Sequence, residues 1–236
     1  MKIVSINALL EALRSDTPIN KVFINSKRKD NKISEIISLC REKKIPYLMV
    51  PQNALLRKAG PENQGVFAEI SPVRFFSLKE VLENPVKDLI LILDSINDTG
   101  NLGAIIRSCV AADIDGILIS QRRSAPVNET VLKVSSGALL NSRIVPSKNL
   151  SRDIDVLKDA GYWIAGTTIG EGVPYYEYDF KMKTAIILGG EQKGLSPLLK
   201  KNADQFITIP HSNMVESLNV STAAAVILFE ALRQKI

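Results

Sequence analysis

The chain has 236 residues, 45% of them hydrophobic and 23% charged, which is enough for one large or two small cores and excludes a disordered chain. Thirty Lys and Arg against 25 Asp and Glu give a formal charge of +5, a bias compatible with a polyanionic partner but not requiring one. Two distant cysteines, Cys40 and Cys109, and a single histidine argue against a metal site and suit a reducing cytoplasm. The segment Met1–Asn7 lacks the apolar core of a signal peptide, and no apolar run approaches the roughly 20 residues of a membrane span.

Short β-branched runs alternate with helix-periodic segments. Lys21–Ile24 reads as a strand. Ile33–Lys43 reads as an amphipathic helix with Ile33, Ile36, Ile37 and Cys40 on one face. Tyr47–Val50 and Val66–Ile70 are further strands, and 72–85 mixes prolines with a short helical stretch. The expected division is a first domain over 1–72, a linker over 73–88 and a second domain over 89–236.

The second domain opens on Leu89–Leu93, an apolar run suited to a strand covered on both faces. Further strands are predicted at Gly116–Ile119, Arg143–Val145, Tyr162–Ala165, Thr184–Leu188 and Gln205–Ile209. Helices are predicted over 102–112, 127–134, 150–160, 196–201 and 218–234. This alternation implies an α/β fold, a mostly parallel sheet between helices.

Three segments of this half place turn residues and reactive side chains at predicted strand ends, where open α/β sheets bind their ligands. In Asp94–Arg107 a loop rich in Asp, Asn, Thr and Gly enters a helix. Asn101 is the expected N-cap, Gly103-Ala104 leaves the first turn open to close approach, and Arg107 follows one turn later. Taken alone, this is more simply a capped helix with a solvated arginine. In Ile187–Pro197, Gly189 and Gly194 have the spacing of a phosphate-binding loop, but Leu195 stands where that loop needs lysine, which disfavours a nucleoside triphosphate. In Ile209–Ser221, Ser217, Asn219 and Ser221 exceed what one helix cap needs, and His211 receives no role.

Together these segments resemble the three signature motifs of the SpoU methyltransferases, members of the SPOUT class. Asn101–Arg107 is similar to the first motif, Gly189–Ser196 to the second, and Ile209-Pro210 with Ser217–Ser221 to the third. Ala8–Leu13 and Asn63–Val66 resemble the two ends of the family's auxiliary RNA-binding domain, itself similar to certain ribosomal proteins. The chain departs from the family pattern at Ser5-Ile6 and Asn63 in that domain, at Thr99 in the first motif and at Asn213 in the third.

The resemblance implies a C-terminal α/β trefoil-knot domain behind a smaller N-terminal α/β domain, and a homodimer. It also implies S-adenosylmethionine as cofactor and an RNA ribose 2′-hydroxyl as methyl acceptor. The layout is nearest to enzymes acting on a guanosine of large-subunit ribosomal RNA; alternatives are a transfer-RNA ribose methyltransferase and a non-catalytic RNA-binding or ribosome-assembly factor. By the same resemblance the catalytic set is Asn101, Arg107, Glu191, Ser217 and Asn219, and the cofactor is held at Gly189, Ile209 and Leu218. Arg122, Arg123 and Lys193 are candidate RNA contacts, with no DNA and no membrane expected.

Overall fold

A computed structural model describes residues 1–15, 17–70, 73–190, 194–212 and 214–236. In chain order the elements are β1 (Lys2–Ile3), α1 (Ile6–Arg14), β2 (Ile19–Asn25), α2 (Asn31–Glu42), β3 (Tyr47–Val50), α3 (Gln52–Ala59) and β4 (Val66–Ile70). There follow α4 (Leu78–Glu83), β5 (Leu89–Asp94), α5 (Thr99–Ala111), β6 (Gly116–Ser120), α6 (Glu129–Val134), β7 (Ile144–Ser147) and α7 (Leu150–Asp159). The last are β8 (Trp163–Thr167), β9 (Val173–Pro174), β10 (Thr184–Gly189), α8 (Pro197–Asn202), β11 (Gln205–Thr208) and α9 (Val220–Lys235). Among the described residues no helix is long and apolar enough to cross a membrane.

The chain divides into two compact units, one of 1–74 with 126–141, the other of 75–125 with 142–236. The first is a four-stranded sheet in the order β1-β4-β2-β3. Alternation along β2 buries Val22 and Ile24 on one face. Helix α1 forms because Ser5 caps it, accepting from Ala8 N at 3.2 Å, and because Ile6, Leu9, Leu10 and Leu13 all turn inward.

The second unit is a seven-stranded sheet in the order β7-β6-β5-β10-β8-β11-β9, parallel at every pairing. All six residues of β5 are buried, as expected for a strand with both faces covered. Each of its five aliphatic side chains contributes about 1.5–3 kcal/mol through burial. From β5 the chain runs outward to β6 and β7, whereas β8 to β11 lie on the other side. The reversal leaves a crevice beyond the carboxyl ends of the strands.

Two segments lie elsewhere than the expected division puts them. Residues 75–88 are more than a linker: Ser77 and Glu80 form a reciprocal capping box on α4, and Val81 is fully buried in the core of the second unit. Residues 126–141 belong to the first unit. There Lys2 N donates to Glu129 at 2.8 Å, Lys133 pairs with Glu62, and the Asn141 amide donates to Glu11. A helical period shows that α6 is a helix but carries no information about which core it joins.

Candidate active site

Parallel strands bring Thr167, Gly189 and Thr208 to the same end of the sheet, as the last residues of β8, β10 and β11. A cleft of about 400 Å³ opens there. Leu188, Ile207 and Leu218 give it apolar walls, and Gly189, Ile209 and Ser217 also line it. Cα–H is all that fits at position 189, because a Cβ would lie 2.2 Å from the carbonyl carbon of Gly194. The chain therefore doubles back beside the cleft, with Gly194 N donating to Gly190 O at 2.9 Å.

The first motif is built one step differently from the sequence expectation. Asp98, not Asn101, is the N-cap of α5 and accepts the Asn101 N–H at 2.7 Å. Asp caps as well as Asn, and its position lets the helix start at Thr99. The Asn101 side chain is thereby released from capping. Its oxygen accepts from the Asn219 amide at 3.0 Å, so the starts of α5 and α9 meet.

Asn219 is the N-cap of α9, accepting from Ser221 N at 2.9 Å and from the Ser221 hydroxyl at 2.6 Å. One amide thus caps a helix with its oxygen and holds Asn101 with its nitrogen. The buried side chains Val220, Ala224, Ile227, Leu228 and Ala231 recur at helical spacing on α9, which packs against α5. Burial of this stripe fixes the register in which the two asparagines face each other.

The structure gathers Gly189, Ile209, Ser217 and Leu218 in the cleft and joins Asn101 to Asn219. Arg107 stands outside the cleft lining, exposed on α5. Arg122 and Arg123 are exposed in the loop after β6, at the same carboxyl end of the sheet. That loop is tied down where Ala125 N donates to Ile96 O at 2.7 Å. Glu191 and Lys193 lie outside the described residues.

Sequence reasoning missed several residues. Thr168 and Ile169 after β8, Lys200 on α8 and His211 also line the cleft, and the His211 ring nitrogen Nδ1 bonds Ile209 O at 2.8 Å. Strand ends are visible in sequence, but not which of them the topology makes neighbours. In the first unit the loop 26–30 and the start of α2 present Lys27, Lys29 and Lys32 exposed. Arg28 braces that loop by donating to Asp30 at 2.8 Å and to Gln64 O. This cluster of cations was legible in the sequence and passed over.

Both thiols are buried, which disfavours the thiolate. Burial pushes Cys40 up to about 11 and raises Cys109 further. Among the described residues no group of three or more His, Cys, Asp or Glu is placed to hold a metal. The cleft instead suits a nucleoside-sized ligand, with apolar walls for a base and Gly189 and Gly190 in its lining. S-adenosylmethionine, with its adenosyl group, fits that description.

Comparison with known proteins agrees with this geometry. Residues 88–229 match the SpoU rRNA Methylase family, and residues 6–76 match the RNA 2′-O ribose methyltransferase substrate binding family. A Staphylococcus aureus protein assigned to the TrmH family of tRNA/rRNA methyltransferases is 36% identical, over 99% of this chain and 96% of its own. In fold, the chain resembles a SpoU methyltransferase from Streptomyces viridochromogenes in complex with AdoMet (TM-score 0.80, 23% identity, 99% of this chain and 90% of that one). It also resembles an AdoMet-bound rRNA methyltransferase from Sinorhizobium meliloti (TM-score 0.80, 21% identity, 100% and 87%). The expected α/β architecture of the SPOUT class, with a smaller N-terminal domain, is the one observed. The chain belongs to the SpoU (TrmH-type) family of RNA 2′-O-ribose methyltransferases, enzymes that draw their methyl group from S-adenosylmethionine.

Proposed function

We propose that the protein methylates the 2′-hydroxyl of a guanosine ribose in large-subunit ribosomal RNA, acting in the cytoplasm as a homodimer. The observation that carries the chemistry is the cleft of Gly189, Ile209 and Leu218, with the Asn101–Asn219 pair joining the two helices of the first and third motifs. The choice of ribosomal RNA is supported by the two-unit layout, which follows the Sinorhizobium meliloti rRNA methyltransferase over the whole chain. The name of the Staphylococcus aureus relative covers transfer RNA as well, so that is the second reading.

S-adenosylmethionine supplies an electrophilic methyl on a sulfonium sulfur. The protein's task is to align a ribose oxygen with it, and positioning carries most of the rate. Backbone groups at Gly189, Ile209 and Leu218 hold the adenosyl portion. A guanidinium is a poor proton acceptor, so Arg107 is assigned a role other than the base. It clamps the neighbouring phosphate bidentately and stabilises the developing alkoxide, while phosphate or water takes the proton. An exposed place outside the cleft suits a group that meets RNA.

Asn101, held by Asn219, orients Arg107 or the RNA phosphate, and Glu191, Ser217 and Asn219 supply the polar side of the site. Arg122, Arg123 and Lys193 contact the RNA backbone at the second unit. Lys27, Lys29 and Lys32 do so at the first, whose match to a substrate-binding family supports that role.

The test is methyl transfer from labelled S-adenosylmethionine to separated pools of large-subunit, small-subunit and transfer RNA, with light scattering of the pure protein. Label confined to the large-subunit pool and a dimeric mass are expected. Label confined to transfer RNA would establish the second reading.

A further inference from the structure

Asp94 is the last residue of β5 and only 5% exposed, and nothing in the proposed chemistry uses it. One carboxylate oxygen accepts the Ser95 hydroxyl at 3.0 Å. The other accepts the backbone N–H of Ser196 at 2.8 Å, 102 positions further along the chain. A buried carboxylate is costly unless its oxygens are well bonded, so its presence here points to a task needing a strong, charge-assisted acceptor.

What Asp94 grips is the returning end of the segment that leaves β10 at Gly189. The leaving end is just as confined. Gly189 lies beside Asp94 in the sheet register, and a Cβ on Gly190 would come within 2.5 Å of Ser95 O. Ser95 itself holds φ +64, a left-handed conformation that residues other than glycine seldom adopt. Its strained turn sends the hydroxyl to Asp94 and the carbonyl against Gly190.

Both ends of the loop are thus pressed onto one two-residue corner, Asp94-Ser95. The same loop contributes Gly189, Gly190, Gly194 and Leu195 to the cleft. We propose that Asp94 is a positioning residue for the cofactor: by holding Ser196 it fixes the loop that shapes the adenosyl site. It links the strand before the first motif to the second motif without touching a reacting atom. This rests on reading the cleft as the S-adenosylmethionine site.

The test measures S-adenosylmethionine binding to the full chain by calorimetry, with thermal unfolding without cofactor and steady-state kinetics alongside. The proteins are the unaltered chain, Asp94→Ala, Asp94→Asn and Gly190→Ala. Asp94→Ala should weaken binding about tenfold or more, consistent with loss of a hydrogen bond to a charged group. KM for the cofactor should rise in step, with kcat at saturation largely kept. Asp94→Asn retains an acceptor oxygen for Ser196 and should recover most of the affinity. Gly190→Ala, which pushes the loop off Ser95 with Asp94 intact, should reproduce the loss. Unchanged affinity in Asp94→Ala would overturn the proposal. If that variant does not fold, unchanged affinity in both Asp94→Asn and Gly190→Ala would overturn it equally. An unaltered chain that binds no cofactor would instead remove the reading of the cleft, and this inference with it.

Discussion

The side-chain amide of Asn219 donates to the side-chain oxygen of Asn101 at 3.0 Å, across 118 positions of sequence. This contact binds the N-terminus of α9 to the first turn of α5. It also assigns the two asparagines different weights, because Asn219 is itself the N-cap of α9 whereas the N-cap of α5 is Asp98.

Asn219→Ala should therefore cost about 1 kcal/mol of stability from the lost cap, whereas Asn101→Ala should cost less. Both should lower methyl transfer, and the double variant should be less impaired than the sum of the singles, with a coupling of about 0.5 kcal/mol or more, on the order expected for contacting residues. Denaturant unfolding and steady-state kinetics on the three proteins measure both effects. Strict additivity would show that the hydrogen bond does no work in catalysis.

Arg107 is exposed on α5, so replacing it should leave folding and cofactor binding intact. Arg107→Ala is expected to lower kcat on the order of 100-fold or more, the scale of a missing oxyanion donor. Arg107→Lys keeps the charge without the fork and should recover only part of that rate. Full activity in the lysine variant would contradict bidentate phosphate clamping.

The RNA contacts proposed for the basic loop of the first unit concern affinity rather than chemistry. Lys27→Ala with Lys29→Ala should weaken RNA binding and reduce the slope of log K against log salt by about 1 for each phosphate that is no longer neutralised. Binding of S-adenosylmethionine should be unaffected. An unchanged slope would place the RNA elsewhere on this unit.

Near the end of α9, Glu230 accepts from Arg233 at 2.8 and 2.9 Å and from the Gln234 amide at 2.7 Å. These bonds, the arginine's first, lower its carboxyl from 4.5 to about 2. Its contribution to stability is thus complete above pH 4.5 and is lost as the pH falls toward about 2. The stability difference between the unaltered chain and Glu230→Gln should be constant above that window and shrink within it. Acid titration of urea midpoints reads this directly.

Much of the fold was legible because its strands are periodic or continuously apolar. β3 and β4 have the boundaries that sequence predicts, and β5 differs by one residue. α3 escaped notice because it buries a single side chain, Leu55, and so shows little periodicity. The three motifs pointed to the glycines that line the cleft, but α5 begins at Thr99 rather than 102, because Asp98 takes the cap expected of Asn101 and both residue types cap equally well. Neither the Asn101–Asn219 contact nor the Asp94–Ser196 bond has a sequence signature. Both depend on which strands and helices the topology sets side by side.

The central step of the family to which the chain belongs is transfer of a methyl group to a ribose oxygen, and the role proposed for Arg107 is to stabilise the charge that develops there. Its most direct test is labelled methyl transfer to ribosomal RNA followed by alkaline hydrolysis, in the unaltered chain and in Arg107→Ala. A methylated 2′-oxygen cannot attack the adjacent phosphodiester, so the label should emerge in an alkali-resistant dinucleotide and be nearly absent from the variant. Label recovered in a free nucleotide would put the methyl group on a base and contradict the account, as would undiminished transfer by Arg107→Ala.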